Sequence, residues 1–127
     1  MKKERSQELF NTIAEHLMKQ NAQSINEDGN CLYKDAEGRK CAVGCLIPDD
    51  LYDAEIEGRM IVWDGAIYHL LLKVIPDLDR EGAILLRELQ KVHDRCYLEG
   101  TFGDALRAVV TVHDLDLPEC LATLPPA

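Results

Sequence analysis

Four stretches of this chain repeat apolar residues at the period of an α-helix, and that repeat limits the fold more than any other feature. In residues 6–20, Leu9, Phe10, Ile13, Ala14, Leu17 and Met18 line one helical face. Ser6 stands where a cap is expected, and Glu8 lies in the first turn, where the helix dipole favours an anion. Residues 65–74 are apolar on most sides (Ile67, Tyr68, Leu70, Leu71, Leu72, Val74), which predicts a buried helix behind an Asp64 cap, stopped by Pro76. A third helix is predicted over 80–97 behind Asp79, with a core stripe of Ile84, Leu85, Leu89, Val92 and Cys96. A fourth covers 102–114, with Phe102, Leu106, Val109, Val110 and His113 near its apolar face, and Thr101 to Asp104 has capping-box spacing.

Between the first two helices the pattern changes. Cys31–Lys34 and Arg39–Val43 read as short strands around Asp35-Ala36-Glu37-Gly38, a turn whose glycine accommodates positive φ. The expectation is a β-hairpin over 31–43, packed on helices because a lone two-stranded hairpin is marginal in water. Residues 48–57 follow as an acidic turn opened by Pro48, and 118–127 form a proline-rich tail. With no linker in view, the chain reads as a single domain over 1–127. Its fold class is α+β, mainly helical, with about four helices and one β-hairpin. At 127 residues, folding buries roughly two-thirds of the unfolded surface, enough for one core.

Charge narrows the partners. Lys and Arg total 14 against 23 Asp and Glu, a net charge of -9. Such a chain lacks the positive footprint of direct nucleic-acid binding. No apolar run approaches the ~20 residues that span a bilayer, and the start lacks a signal-peptide core. Five cysteines without an export signal point to reduced thiols in a cytosol, mostly as small apolar packing. Cys31, Cys41 and Cys45 follow a C-x9-C-x3-C spacing, which fits structural zinc only loosely and needs a fourth ligand from Cys96, Cys120 or a histidine. The favoured reading is no cofactor, with zinc on Cys31, Cys41 and Cys45 as the alternative. His93-Asp94 and His113-Asp114 resemble ligand pairs of helical metal-dependent phosphohydrolases, but four helices are too few for that bundle.

Nucleophile elbows, phosphate-binding loops and dinucleotide fingerprints are absent. The chain therefore reads as a non-enzyme. Asp49, Asp50, Asp53, Glu55 and Glu57 fall within nine residues, with no base among them. Such a run would attract a basic protein surface and speed encounter, with Tyr33 or Tyr52 as aromatic anchor. The alternative is a small-molecule site, nucleotides included, where Arg39 and Lys40 contact an anion and Tyr33 or Tyr52 stacks on a base. A homodimer that covers Trp63 and the apolar stretch 60–75 is also consistent with the pattern.

Residues 31–58 carry Cys31-x-Tyr33, Gly38, Cys41-Ala42-Val43-Gly44-x-Leu46-Ile47-Pro48-Asp49, Tyr52 and Glu57-Gly58. This pattern resembles a family of small proteins of tailed bacteriophages and prophages. The first helix and the stretch Leu89-Gln90-x-x-His93-Asp94 are similar too. The resemblance brings no assigned activity. It implies a setting, the cytoplasm of an infected bacterium. There the expected role is an acidic protein that binds and inhibits a host protein of antiviral defence or nucleic-acid handling, or one that sequesters a nucleotide.

Overall fold

A computed structural model describes residues 1–95 and 102–122. The described helices are α1 (Lys3–Gln20), α2 (Ala66–Leu72), α3 (Arg80–Arg95), α4 (Phe102–Val112) and α5 (Glu119–Ala122), with 3₁₀ turns at Gly44–Leu46 and Ala54–Ile56. The apolar stripes explain the packing. Phe10, Ile13 and Leu17 of α1 meet Leu85, Leu86 and Leu89 of α3 and Leu106 of α4 in one core, all essentially without solvent contact. Each such side chain stabilises by roughly 1.5–3 kcal/mol on burial. α3 packs on α4 and α1, and α1 also contacts α4, α5 and the 3₁₀ turn at Gly44–Leu46.

Caps differ from expectation in detail. α1 starts three residues before Ser6, and it ends on Asn21 in the left-handed region (φ 49°), whose N–H bonds the Leu17 carbonyl at 2.8 Å. Asp79 caps α3 through the N–H of Gly82 at 2.9 Å. Asp64 does not cap α2; Gly65 holds that position, and the Asp64 carboxylate meets His69 Nε2 at 2.7 Å. Cys96, Tyr97 and Thr101, and with them the end of the predicted third helix and the capping box, lie outside the described residues.

The predicted hairpin is not there, and the α+β class is corrected to helical: among the described residues no strand forms. Two isolated antiparallel bridges, Ile25 with Cys31 and Lys34 with Lys40, replace it. Side chains explain why. The N–H groups of Tyr33 and Lys34 donate to the Glu57 carboxylate at 2.8 and 3.2 Å. Lys40 N–H donates to Gln20 Oε1 at 3.0 Å, and Val43 N–H to Gln90 Oε1 at 3.0 Å. Donors that would extend a ladder are thus spent on α1, α3 and the acidic loop. The turn itself is present: Gly38 has φ 84°, and Asp35 N–H meets the Arg39 carbonyl at 2.9 Å. After Cys41 the chain curls into a helical turn, with Cys45 N–H bonded to the Cys41 carbonyl at 3.1 Å. Gly44 permits that curl, because a Cβ there would lie 2.0 Å from the Tyr33 carbonyl oxygen.

Candidate functional site

Three segments meet at one cleft. Residues 31–33 form one wall and 58–61 another. The third is a stripe of α3 whose members, Arg87, Gln90, Lys91 and Asp94, recur at i, i+3, i+4 and i+7. The cavity measures about 230 Å³. Leu32, Tyr33, Met60 and Ile61 supply apolar lining, whereas Arg59, Arg87 and Lys91 bring three cations against the one carboxylate of Asp94. Arg59 and Arg87 are exposed. Arg87 has no hydrogen bond or ion pair to any described residue, and Lys91 has only Glu88 at 3.6 Å.

Asp94, half-buried, is the hub of a relay that runs inward to His93. Its Oδ1 lies 2.8 Å from His93 Nδ1 and accepts from Gln90 Nε2 at 3.1 Å. The Cys31 sulfur lies within 4.8 Å of the same carboxylate. His93 is fully buried, and its Nε2 accepts the backbone N–H of Ser24 at 2.9 Å. That donor fixes the tautomer: the ring proton sits on Nδ1 and points at Asp94. Phe102 of α4 stacks on the imidazole, with centroids 6.2 Å apart and 13° between planes. Gln23 donates to the carbonyls of His93 and Asp94, so the 22–24 loop is tied to the end of α3.

Cys31, His93 and Asp94 also form the one described group with ligand atoms in metal-binding reach, all within 4.8 Å of one another. Cys41 and Cys45 are not part of it. Cys41 Sγ accepts from Gly44 N–H, and Cys45 Sγ donates to the Ala42 carbonyl. An ion on His93 Nδ1 would drive the ring proton to Nε2, where the Ser24 N–H already points. The donor set therefore suits a hydrogen-bond relay better than a metal. Nor does the relay supply a thiolate. Burial and the Asp94 carboxylate push the Cys31 thiol up to about 12, and burial puts Cys41 and Cys45 at about 12 as well.

Of the residues singled out from the sequence, Cys31, Tyr33 and Asp94 line the cleft, with His93 behind Asp94, and the others lie elsewhere. Tyr33 is buried and donates its hydroxyl to the Arg59 carbonyl. Burial pushes its phenol well above the ordinary tyrosine value. Arg39 pairs with Asp35 at 2.7 Å and Glu37 at 3.4 Å, and Lys40 pairs with Asp49 at 3.2 Å; neither lines the cleft. In the acidic run, Asp49 bridges Lys34 and Lys40, and Asp53 caps the Ala54–Ile56 turn. Glu57 accepts from Tyr33, Lys34 and the Tyr52 hydroxyl. Asp50 and Glu55 face solvent. His113 and Asp114 stand apart from His93 and Asp94 in no ligating group, and Asp114 faces Lys3 at 3.9 Å. Of the stretch expected to seek a partner subunit, Ile61, Ile67, Tyr68, Leu71 and Ile75 are buried in the chain's own core, while Met60, Val62 and Trp63 are exposed.

Sequence reasoning missed the cleft's cations. The signal was the spacing of Arg87, Gln90, Lys91 and Asp94, a polar stripe at helical period. Comparison with protein-family models, curated proteins and solved structures finds no match to this chain. No described helix is long and apolar enough to cross a membrane.

Proposed function

We propose that the cleft binds a small nucleotide-like molecule without reacting it. The observation that carries this reading is the charge of the lining: three cations and one carboxylate around an apolar hollow, on a chain of net charge -9. Arg59, Arg87 and Lys91 would hold a phosphate. Asp94 Oδ2, to which no nitrogen or hydroxyl of a described residue donates, would accept N–H groups of a base; guanine presents a ring N–H beside an exocyclic amino group. Leu32, Tyr33, Met60 and Ile61 would enclose the planar body. Size agrees: about 230 Å³ lies below the roughly 300–1,000 Å³ of drug-sized sites, so a base fits inside while its phosphate stays at the exposed arginines. The raised thiols favour retention over covalent chemistry. The likeness of residues 31–58 to phage proteins suggests an infected bacterium as the setting, where sequestering a nucleotide would withdraw it from the host.

Calorimetric titration with guanosine monophosphate tests this. Saturable binding is expected, weakened about tenfold by Arg87→Ala, since a charge-assisted hydrogen bond contributes about 1.5–3 kcal/mol. No heat at millimolar nucleotide contradicts it. A second reading, contact with a basic host protein, rests on the solvent-facing Asp50 and Glu55. It calls for a co-purifying bacterial protein whose capture falls with salt and with Asp50→Asn plus Glu55→Gln.

A further inference from the structure

Beside the cleft lies a second hollow of about 240 Å³, lined by Val62, Trp63, Arg80 and Ile84. The two share Ile61 and Arg87 as a common wall. From this juxtaposition we infer that the pair forms one extended site for a dinucleotide, one base in each hollow and the linking phosphate over Arg87. The inference rests on the nucleotide reading of the first cleft.

Three observations support it. Neither hollow alone reaches drug-sized volume, but the two together do. The second hollow presents apolar side chains to solvent: Val62, Trp63 and Ile84 are about half exposed, an arrangement that normally marks a contact surface. Its lining carries cations and no carboxylate; the Trp63 ring packs against Tyr68 with centroids 4.8 Å apart and has Arg80 at 5.7 Å, whose guanidinium a stacked base would displace. Several cations elsewhere on the chain are matched to acids, among them Arg5 with Asp77, Arg39 with Asp35 and Lys40 with Asp49. Arg87, unpaired among the described residues, stands where a phosphodiester bridging the two hollows would lie. An aromatic face with neighbouring arginines is the general means by which proteins hold an unpaired base.

Trp63 is the chain's single tryptophan, so its fluorescence reports on the second hollow alone. The probes are guanosine monophosphate, the linear dinucleotide GpG and a guanine hexaribonucleotide. GpG is expected to bind about tenfold tighter than the mononucleotide, the scale of one stacked base, and to quench Trp63. The mononucleotide should bind without quenching. Replacing Trp63 by Leu should reduce GpG to mononucleotide affinity and leave the mononucleotide unchanged. Mononucleotide binding with no gain for GpG overturns the extended site and leaves the single-base reading intact. Absence of binding by every probe overturns both. A hexanucleotide that binds tighter than GpG overturns the dinucleotide assignment in favour of a strand.

Discussion

Ser24 points its backbone N–H at Nε2 of His93 from 2.9 Å, deep in the protein, and that bond decides what the neighbouring groups can do. It makes Nε2 an acceptor, leaves the proton on Nδ1, and aims that proton at Asp94. Asp94 in turn reaches into the cleft between α3 and the 58–61 segment. A buried imidazole is thereby used to hold a carboxylate in place.

Replacing His93 by Ala should remove a fully buried ring that stacks on Phe102, leaving the Ser24 N–H without its acceptor. A loss of about 3 kcal/mol or more is expected from the combined cavity and unpaired donor. Urea unfolding measures it; a change under about 1 kcal/mol would mean that the relay holds nothing together.

The thiol at the cleft should be slow to react. With Cys31 at about 12, its thiolate fraction at pH 8 is on the order of 10⁻⁴. Site-resolved alkylation at pH 8 should label Cys31 far more slowly in the native protein than in urea. Asp94→Asn should speed that labelling, because it removes the charge that opposes the thiolate. Native labelling as fast as in the unfolded chain would show that burial does not protect this sulfur.

Zinc offers a separate check on the same geometry. Since an ion on Nδ1 of His93 would set two N–H donors against each other at Ser24, micromolar zinc should neither raise the melting temperature nor appear as a bound ion in native mass spectra. A one-to-one zinc adduct lost on Cys31→Ser would reverse the assignment.

Acid should reveal the turn that stands in place of the hairpin. Burial pushes the Asp35 carboxyl up, but the Arg39 guanidinium and the N–H groups of Arg39 and Glu37 outweigh it and leave it below its ordinary value. A carboxylate lowered on folding adds stability above its unfolded-state value, and that stability is lost as pH falls through the folded value. Asp35→Asn should therefore destabilise by roughly 1–3 kcal/mol at pH 7, with the difference from the parent shrinking below about pH 4. A difference that stays constant from pH 7 to pH 3 would remove the ion pair from the explanation.

How far the sequence reached is visible element by element. The stripe from Leu9 to Leu17 predicts a helix over 6–20, and α1 runs Lys3–Gln20; spacing marks a buried face, but the first turn of a helix is set by solvated residues that carry no period. Residues 31–43 failed because alternation in so short a run is local, whereas the groups that take its backbone donors, Gln20, Glu57 and Gln90, are distant in the chain. α5 falls in the segment read as tail, and four residues are too few to show a period. The acidic run was plain in composition, yet its pairing with Lys34, Lys40 and Tyr52 was not. The cleft was least legible, since Arg59 and Asp94 meet only after the chain has folded.

The central claim is that the cleft on α3 binds a nucleotide, and an amide-resolved NMR titration of the full chain with guanosine monophosphate tests it most directly. Binding there should shift resonances of residues 31–33, 58–61 and 87–94 together, saturably, with 48–57 unmoved. A spectrum that stays unchanged at millimolar nucleotide, or shifts confined to 48–57, would contradict it.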